Sequence, residues 1–233
     1  MKAALEFSHF RAITFDCYGT LIDWEAGILG AIRPILVAHG AEVSDPEILR
    51  LYSEIEAEAQ SSYYQPYWEI LRDVVRGFGD RLGFSATDAE QQSLPDSLAQ
   101  WKPFPDTVAA LRQLKTKFKL GIISNVDDDL FSASARRLEI DFDSVTTAGQ
   151  ARAYKPAPEI FRLAQKKMDI LPEHWLHAGQ SIYHDVIPAK SLGISTAWVN
   201  RPSPRPGAGA AKQASATPDI EVHSLAGLAQ LAI

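Results

Sequence analysis

Five short apolar runs, each halted by polar residues, constrain this chain more than any other feature. They read RAITFD (11–16), KLGIISN (119–125), DSVTTAG (143–149), WLHAGQS (175–181) and ISTAWVN (194–200). Runs of this length, rich in β-branched and apolar residues, suit buried strands and are too short for helices. Helical segments separate the later runs. Strands that alternate with helices are predicted to pair in parallel, because each helix carries the chain back across the sheet by a right-handed crossover. The expected fold class is α/β with a parallel sheet.

One long interruption breaks the alternation. From Trp24 to about Gln100 the pattern is helical throughout: EAGILGAIRPILVAHG with Gly40 as a stop, SDPEILRLYSEIEAEAQ with Pro46 near its first turn, then PYWEILRDVVRGFG. Pro103 and Pro105 mark the return to alternation. The chain thus divides into a core of residues 1–22 and 102–233 and a helical insertion of residues 23–101. Residues 201–219, RPSPRPGAGAAKQASATPD, read as a flexible surface loop before a last short strand and helix.

Composition removes whole classes of function. A net charge of −6 argues against a nucleic-acid partner or an anionic membrane surface. The single cysteine, Cys17, cannot form an internal disulfide, reads as a packed small residue, and fits a reducing compartment. No apolar run approaches the ~20 residues that cross a bilayer. MKAALEFSHF lacks the apolar stretch of a signal peptide, so the expected location is cytoplasmic.

In an open parallel sheet, ligands bind beyond the carboxyl ends of the strands. Following the expected strands stand Asp16-Cys17-Tyr18-Gly19-Thr20, then Ser124-Asn125, then Tyr154-Lys155-Pro156, then Gln180-Ser181 with Asp185. Singly these are ordinary: an aspartate after a strand caps a helix, Ser-Asn makes turns, and a lysine sits in solvent. Four strand ends that converge on two acids, a hydroxyl-amide pair and a lysine make one site.

The strand entering DCYGTL, the SN pair, YKPAPEIF and HDVIPAKSLG resemble, in this order, the four motifs of the haloacid dehalogenase-like hydrolase superfamily. The resemblance spans almost the whole chain. It implies a Rossmann-like core, an inserted α-helical cap over residues 23–101, and a nucleophilic aspartate at Asp16. A carboxylate attacks well only when it is oriented, partly desolvated and kept ionised by a cation. Lys155 is the expected cation. Thr20 and Ser124 are expected to fix Asp16 by hydrogen bonds, and backbone N–H groups of Tyr18-Gly19-Thr20 to hold its second oxygen. Asp185 is expected to orient or deprotonate water.

Tyr18 narrows the chemistry. Phosphatases of the superfamily usually carry Asp-x-Asp in the first motif, where the second acid protonates the leaving group, and a pair of acids in the fourth that helps hold Mg²⁺. Here Tyr18 and Gln180 stand at two of those positions. With Asp16 and Asp185 alone, Mg²⁺ lacks its set of hard oxygen ligands, so no metal or other cofactor is expected. D-x-Y-G-T-L is similar instead to the L-2-haloacid dehalogenase branch, which displaces halide from carbon without metal. Halide leaves without a proton.

The chain also departs from that branch. Where the branch carries Ser-Ser-Asn before the last acid, this chain reads Gln180-Ser181-Ile182-Tyr183-His184-Asp185. The cap arginine that grips substrate falls at Ser53, leaving Arg33, Arg50 and Arg72 as substitutes or as plain surface charges. FDCYGTLIDWE and SxYHDxIPA resemble a side branch that includes an L-azetidine-2-carboxylate hydrolase. An amine leaving group needs a proton there, with Tyr183 and His184 as candidate helpers. Tyr18, Trp24, Tyr67, Asn125, Ser181 and Tyr183 are the expected substrate-binding residues. SSYYQPYWEI, with Tyr63, Tyr64, Tyr67 and Trp68, reads either as cap core or as an apolar wall over Asp16.

The expected function is hydrolysis at an sp³ carbon of a small-molecule carboxylate through an aspartyl ester. A phosphatase with a degraded metal site and a non-catalytic binding protein are the alternatives. Oligomeric state is left open, a homodimer included.

Overall fold

The computed structural model describes residues 5–61, 63–202 and 209–233. Residues 203–208 of the expected surface loop, Ser62 of the aromatic segment, and residues 1–4 of the N-terminal segment lie outside the described residues.

Each of the five apolar runs forms a strand: β1 (Ala12–Phe15), β2 (Lys119–Ser124), β3 (Ser144–Thr147), β4 (Trp175–Gly179) and β5 (Ser195–Val199). The expected last strand is β6 (Ile220–Val222). They build one sheet in the order β3-β2-β1-β4-β5-β6, with every pair parallel. All residues of β1 and β4 are buried, as central strands of a sheet covered on both faces must be.

Four helices stand between β1 and the return to the sheet: α1 (Trp24–Ala38), α2 (Asp45–Gln60), α3 (Tyr67–Leu82) and α4 (Asp88–Ser97). Thr87 and Glu90 cap the last of these reciprocally, each side chain meeting the other's backbone N–H. Then α5 (Thr107–Lys115) leads into β2, and α6 (Asp128–Leu138) joins β2 to β3. Two helices, α7 (Ala148–Ala151) and α8 (Pro158–Met168), precede β4. A π-helical turn (Ile182–Val186) and α9 (Ile187–Ser191) follow β4, and α10 (Leu225–Ala232) ends the chain.

The strand order decides where the chemistry sits. From β1 the chain builds outward through β2 and β3 on one side, then returns to lay β4, β5 and β6 on the other. Loops leaving β1 and β4 diverge at that reversal and open a crevice between them, the usual ligand position in such sheets. The helical insertion reaches across the crevice. Its Trp68 backbone N–H donates to Asp127 Oδ2 at 3.0 Å, and the Tyr154 hydroxyl donates to the Gln65 carbonyl at 2.8 Å.

Candidate active site

Asp16 directly follows β1 and Asp185 lies in the turn after β4; Lys155, just before α8, reaches both. Its Nζ donates to Asp16 Oδ1 at 2.8 Å, to Asp185 Oδ1 at 2.6 Å and to the Ile123 carbonyl at 3.0 Å. The ammonium is only 2% exposed, and all three of its protons are used. Burial alone would lower the Lys155 pKa, but the two carboxylates outweigh it and hold the pKa above its ordinary value. The lysine is therefore a fixed cation. Asn125 holds its backbone from both sides, accepting from Lys155 N–H at 2.6 Å and donating to Lys155 C=O at 3.1 Å.

The two aspartates differ in basicity. Burial and the neighbouring Asp185 push Asp16 up, against the pull of Lys155 and the Thr20 hydroxyl. Burial would raise Asp185 too, but Lys155 and His177 together take it below the usual carboxylate range. Asp16 is thus the more basic of the two. Thr20 Oγ1 donates to Asp16 Oδ2 at 2.8 Å and accepts from the Gln180 backbone N–H at 2.9 Å, which links the β1 and β4 loops.

Asp185 is seated by two further groups. Ser181 N–H donates to its Oδ2 at 3.1 Å, and His177 Nε2 lies 3.2 Å from its Oδ1. The histidine is itself held by a buried chain. The Trp175 indole can only donate, and it donates to Thr14 Oγ1 at 2.8 Å. His177 Nδ1 lies 2.8 Å from the same Thr14 hydroxyl, and because a carboxylate only accepts, the hydrogen between His177 and Asp185 sits on Nε2. Gly179 makes the fit feasible: a Cβ there would lie 2.4 Å from Asp185 Cγ. At Gly19, whose φ is +92°, a Cβ would lie 2.3 Å from Gln180 Oε1 and 2.8 Å from Trp24 Nε1.

Above this cluster is a cavity of about 50 Å³. Asp16, Ser124, Lys155 and Asp185 line it from the strand ends, and Trp24, Glu56 and Tyr67 from the insertion. A wider groove of about 960 Å³ runs between α1, α4 and the Trp101–Pro105 link, but it holds none of the strand-end residues. Chemistry, not size, selects the smaller space.

The expected site residues fare differently. Asp16, Thr20, Lys155 and Asp185 form one bonded cluster. Tyr18, Trp24, Tyr67, Ser124, Asn125 and Ser181 line the cavity. Two expected bonds are corrected. Ser124 does not bond Asp16; its buried Oγ has no protein partner. The second oxygen of Asp16 is held by the Thr20 hydroxyl instead of the turn's backbone, where Gly19 N–H is spent on the Ile22 carbonyl at 2.8 Å.

Tyr183 is not among the lining residues; its ring packs edge-on against His184 and lies under Lys212. His184 does line the cavity, but burial pushes it down to about 4, so it is a neutral ring at neutral pH. Of the aromatic segment, only Tyr67 reaches the cavity; Tyr63 is exposed, and Tyr64 stacks on Tyr154. Arg33 pairs with Asp45, Arg50 with Glu47 and Glu54, and Arg72 with Gln92, all away from the cavity.

Two site residues had no place in the sequence reading. His177 is hidden inside β4. Glu56 was readable in one respect: an acid stands on the apolar stripe of α2, at helical spacing from Ile48, Leu49 and Tyr52.

A doubly covered parallel sheet whose strand ends converge on an aspartate–lysine–aspartate cluster under a helical insertion is the architecture of a Rossmann-like hydrolase. The chain belongs to the haloacid dehalogenase-like hydrolase family, whose model matches residues 10–193. It is 27% identical over 226 residues to an (S)-2-haloacid dehalogenase of Pseudomonas putida, covering 94% of each chain. It is 28% identical over 197 residues to a glyceraldehyde 3-phosphate phosphatase of Methanothermobacter thermautotrophicus, covering 82% of this chain and 85% of that one. The solved L-2-haloacid dehalogenase of Xanthobacter autotrophicus shares the fold with a TM-score of 0.81 at 22% identity, over 95% of this chain and 98% of that one. Similarity thus reaches both carbon-centred and phosphate-centred relatives, and the site must separate them.

Proposed function

We propose that this protein hydrolyses a small carboxylic acid at an sp³ carbon, without a metal, through an ester formed on Asp16, in the manner of a 2-haloacid dehalogenase. The observation that carries this reading is the Lys155 ammonium held between Asp16 and Asp185. It keeps an attacking carboxylate ionised in a buried site and takes the inner oxygen of each acid. The remaining donors do not make a Mg²⁺ site. The Tyr18 hydroxyl is tied to Ser134 Oγ at 2.8 Å, and Gln180 brings an uncharged amide.

In the first step an Asp16 oxygen attacks the substrate carbon, and the bonding pair leaves with the departing group. Water then attacks the ester carbonyl, releasing the hydroxy acid and leaving one water oxygen in Asp16. Residues 23–101 act as a cap: Trp24, Glu56 and Tyr67 close the cavity and limit water. The partner is a small carboxylate. No described helix is long and apolar enough to cross a membrane; we assign the protein to the cytoplasm, where Cys17 stays a thiol. A homodimer is compatible with this reading.

One turnover of limiting 2-chloropropionate in heavy-oxygen water tests the route. Label is expected in Asp16, with Asp16→Asn folded but inactive and turnover indifferent to chelators. Label in the product of the first turnover overturns the covalent step. Efficient Mg²⁺-dependent hydrolysis of phosphate esters overturns the carbon-centred reading.

A further inference from the structure

The end of β2 and the loop that follows it serve three parts of the site. Ser124 lines the cavity, and Asn125 holds the Lys155 backbone from both sides. Asp127, only 9% exposed, reaches elsewhere. It stands at the N-cap of α6, where an aspartate ordinarily accepts an N–H of the helix it begins. Asp127 makes no such bond. Its Oδ2 accepts instead from the Trp68 N–H, at 3.0 Å, in the first turn of α3.

The sequence of α3 explains why. The residue before it is Pro66, whose side chain has no polar atom to cap a helix. The first N–H groups of a helix find no acceptor within it. Those of Glu69 and Ile70 reach the Pro66 carbonyl, and that of Trp68 has Asp127. A carboxylate also suits the positive end of a helix. A core residue thus caps a helix of the insertion, while its own helix goes without a side-chain cap. Tyr67, the first residue of α3, lines the cavity and donates to Glu56 Oε1 at 2.6 Å. We propose that Asp127 is a positioning residue: by capping α3 from the core it docks the helical wall onto the strand-end wall and sets Tyr67 in the cavity. Because the same loop carries Asn125, one short segment fixes both the insertion and the Lys155 cation.

The docking stands apart from the carbon-centred reading; only its effect on turnover rests on it. Hydrogen exchange on the full chain, followed by mass spectrometry, tests the docking without substrate. In Asp127→Ala the peptide that holds Trp68 is expected to exchange roughly 3- to 30-fold faster, the worth of a helix cap. The first turn of α6 is expected to keep its protection, since the Asp127 side chain gives it no bond. Asp127→Asn keeps an acceptor and is expected to restore most of the protection at Trp68. If Asp127→Ala does not fold, Asp127→Ser decides: a serine there can cap only α6, so α3 should loosen and α6 tighten. Unchanged exchange at Trp68, or loosening confined to α6, overturns the proposal.

Turnover of 2-chloropropionate is the second readout. In Asp127→Ala, kcat/KM is expected to fall by up to about 10²-fold and to recover in Asp127→Asn. In a Tyr67→Phe background the same alanine change should cost far less, because the bond it acts through is already gone. Equal falls in the two backgrounds overturn the positioning of Tyr67. A loosened α3 in a protein that never labels Asp16 sinks the hydrolase reading and upholds this one. Labelled Asp16 with unchanged exchange at Trp68 does the reverse.

Discussion

The strand-end wall and the helical wall of the cavity are wired in opposite ways. On the strand-end side every charged group is matched, and the neutral Ser124 hydroxyl alone among the described buried side-chain groups there is not: Lys155 spends its protons on Asp16, Asp185 and the Ile123 carbonyl, and Thr20, Ser181 and His177 fill the remaining carboxylate positions. On the helical side, among the described residues, Trp24 keeps an N–H unpaired and Glu56 binds the Tyr67 hydroxyl through one oxygen only. The contrast separates two tasks. A charged network matched before substrate arrives is preorganised for the reacting atoms. Groups that stay unmatched until substrate arrives can only discriminate between ligands.

The comparison breaks most severely at Lys155. In Lys155→Met, two carboxylates lose the cation between them. Activity is expected to fall by about 10³-fold or more. Stability near neutral pH is expected to drop by about 3–5 kcal/mol, the usual result of stranding a buried charge. Asp16, already above its ordinary 3.8, rises further without the cation, so any residual activity has its acid limb at higher pH. In the wild type, Asp185 sits below 3.8; its share of stability is full above that value and is lost as pH falls through the lowered one. The variant lacks that share. Denaturant unfolding should therefore find the gap between the proteins wide above pH 3.8 and narrowing below it. A gap that does not vary with pH would remove Lys155 from the electrostatic account.

The strand-end wall was largely legible in the sequence, and the helical wall was not. Short β-branched runs with polar stops located five strands, and a parallel sheet then obliged Asp16, Ser124 and the Gln180–Asp185 segment to meet. Lys155 was placed by its motif. His177 escaped because a histidine inside a strand reads as core; only the pairing of β4 with β1 sets it in line with Thr14 and Asp185. Glu56 escaped because its place on the α2 stripe does not say which body that stripe faces. Ser124 was given a bond to Asp16 that it does not make. A hydroxyl's position in sequence fixes its neighbourhood and leaves its rotation undetermined.

Asp185→Asn sharpens the division within the strand-end wall. Asp185 fixes Lys155 and is held too acidic to be a strong base, so on the proposed route its part is to orient water on the ester. Ester formation is expected to survive better than ester hydrolysis, with overall turnover falling about 10²-fold. Intact-protein mass spectrometry after brief mixing with 2-chloropropionate should show an adduct on Asp16. If both steps slow equally and no adduct accumulates, Asp185 has no separate part in the second step.

The smallest effect is expected on the helical wall, at Trp24→Phe. The indole packs edge-on against Tyr52, with ring centroids 5.9 Å apart, and phenylalanine can keep that contact while losing only the N–H. That N–H has no protein partner, so the protein loses no internal hydrogen bond and its stability should change little. What it loses is one donor that the cavity offers to a bound ligand, worth about 1 kcal/mol, or several-fold in affinity. KM is expected to rise by that factor with kcat nearly unchanged, since the bond forms in the bound substrate and the transition state alike. A fall in kcat at constant KM would move Trp24 from the selecting wall to the reacting one, and the division between the two walls would fail there.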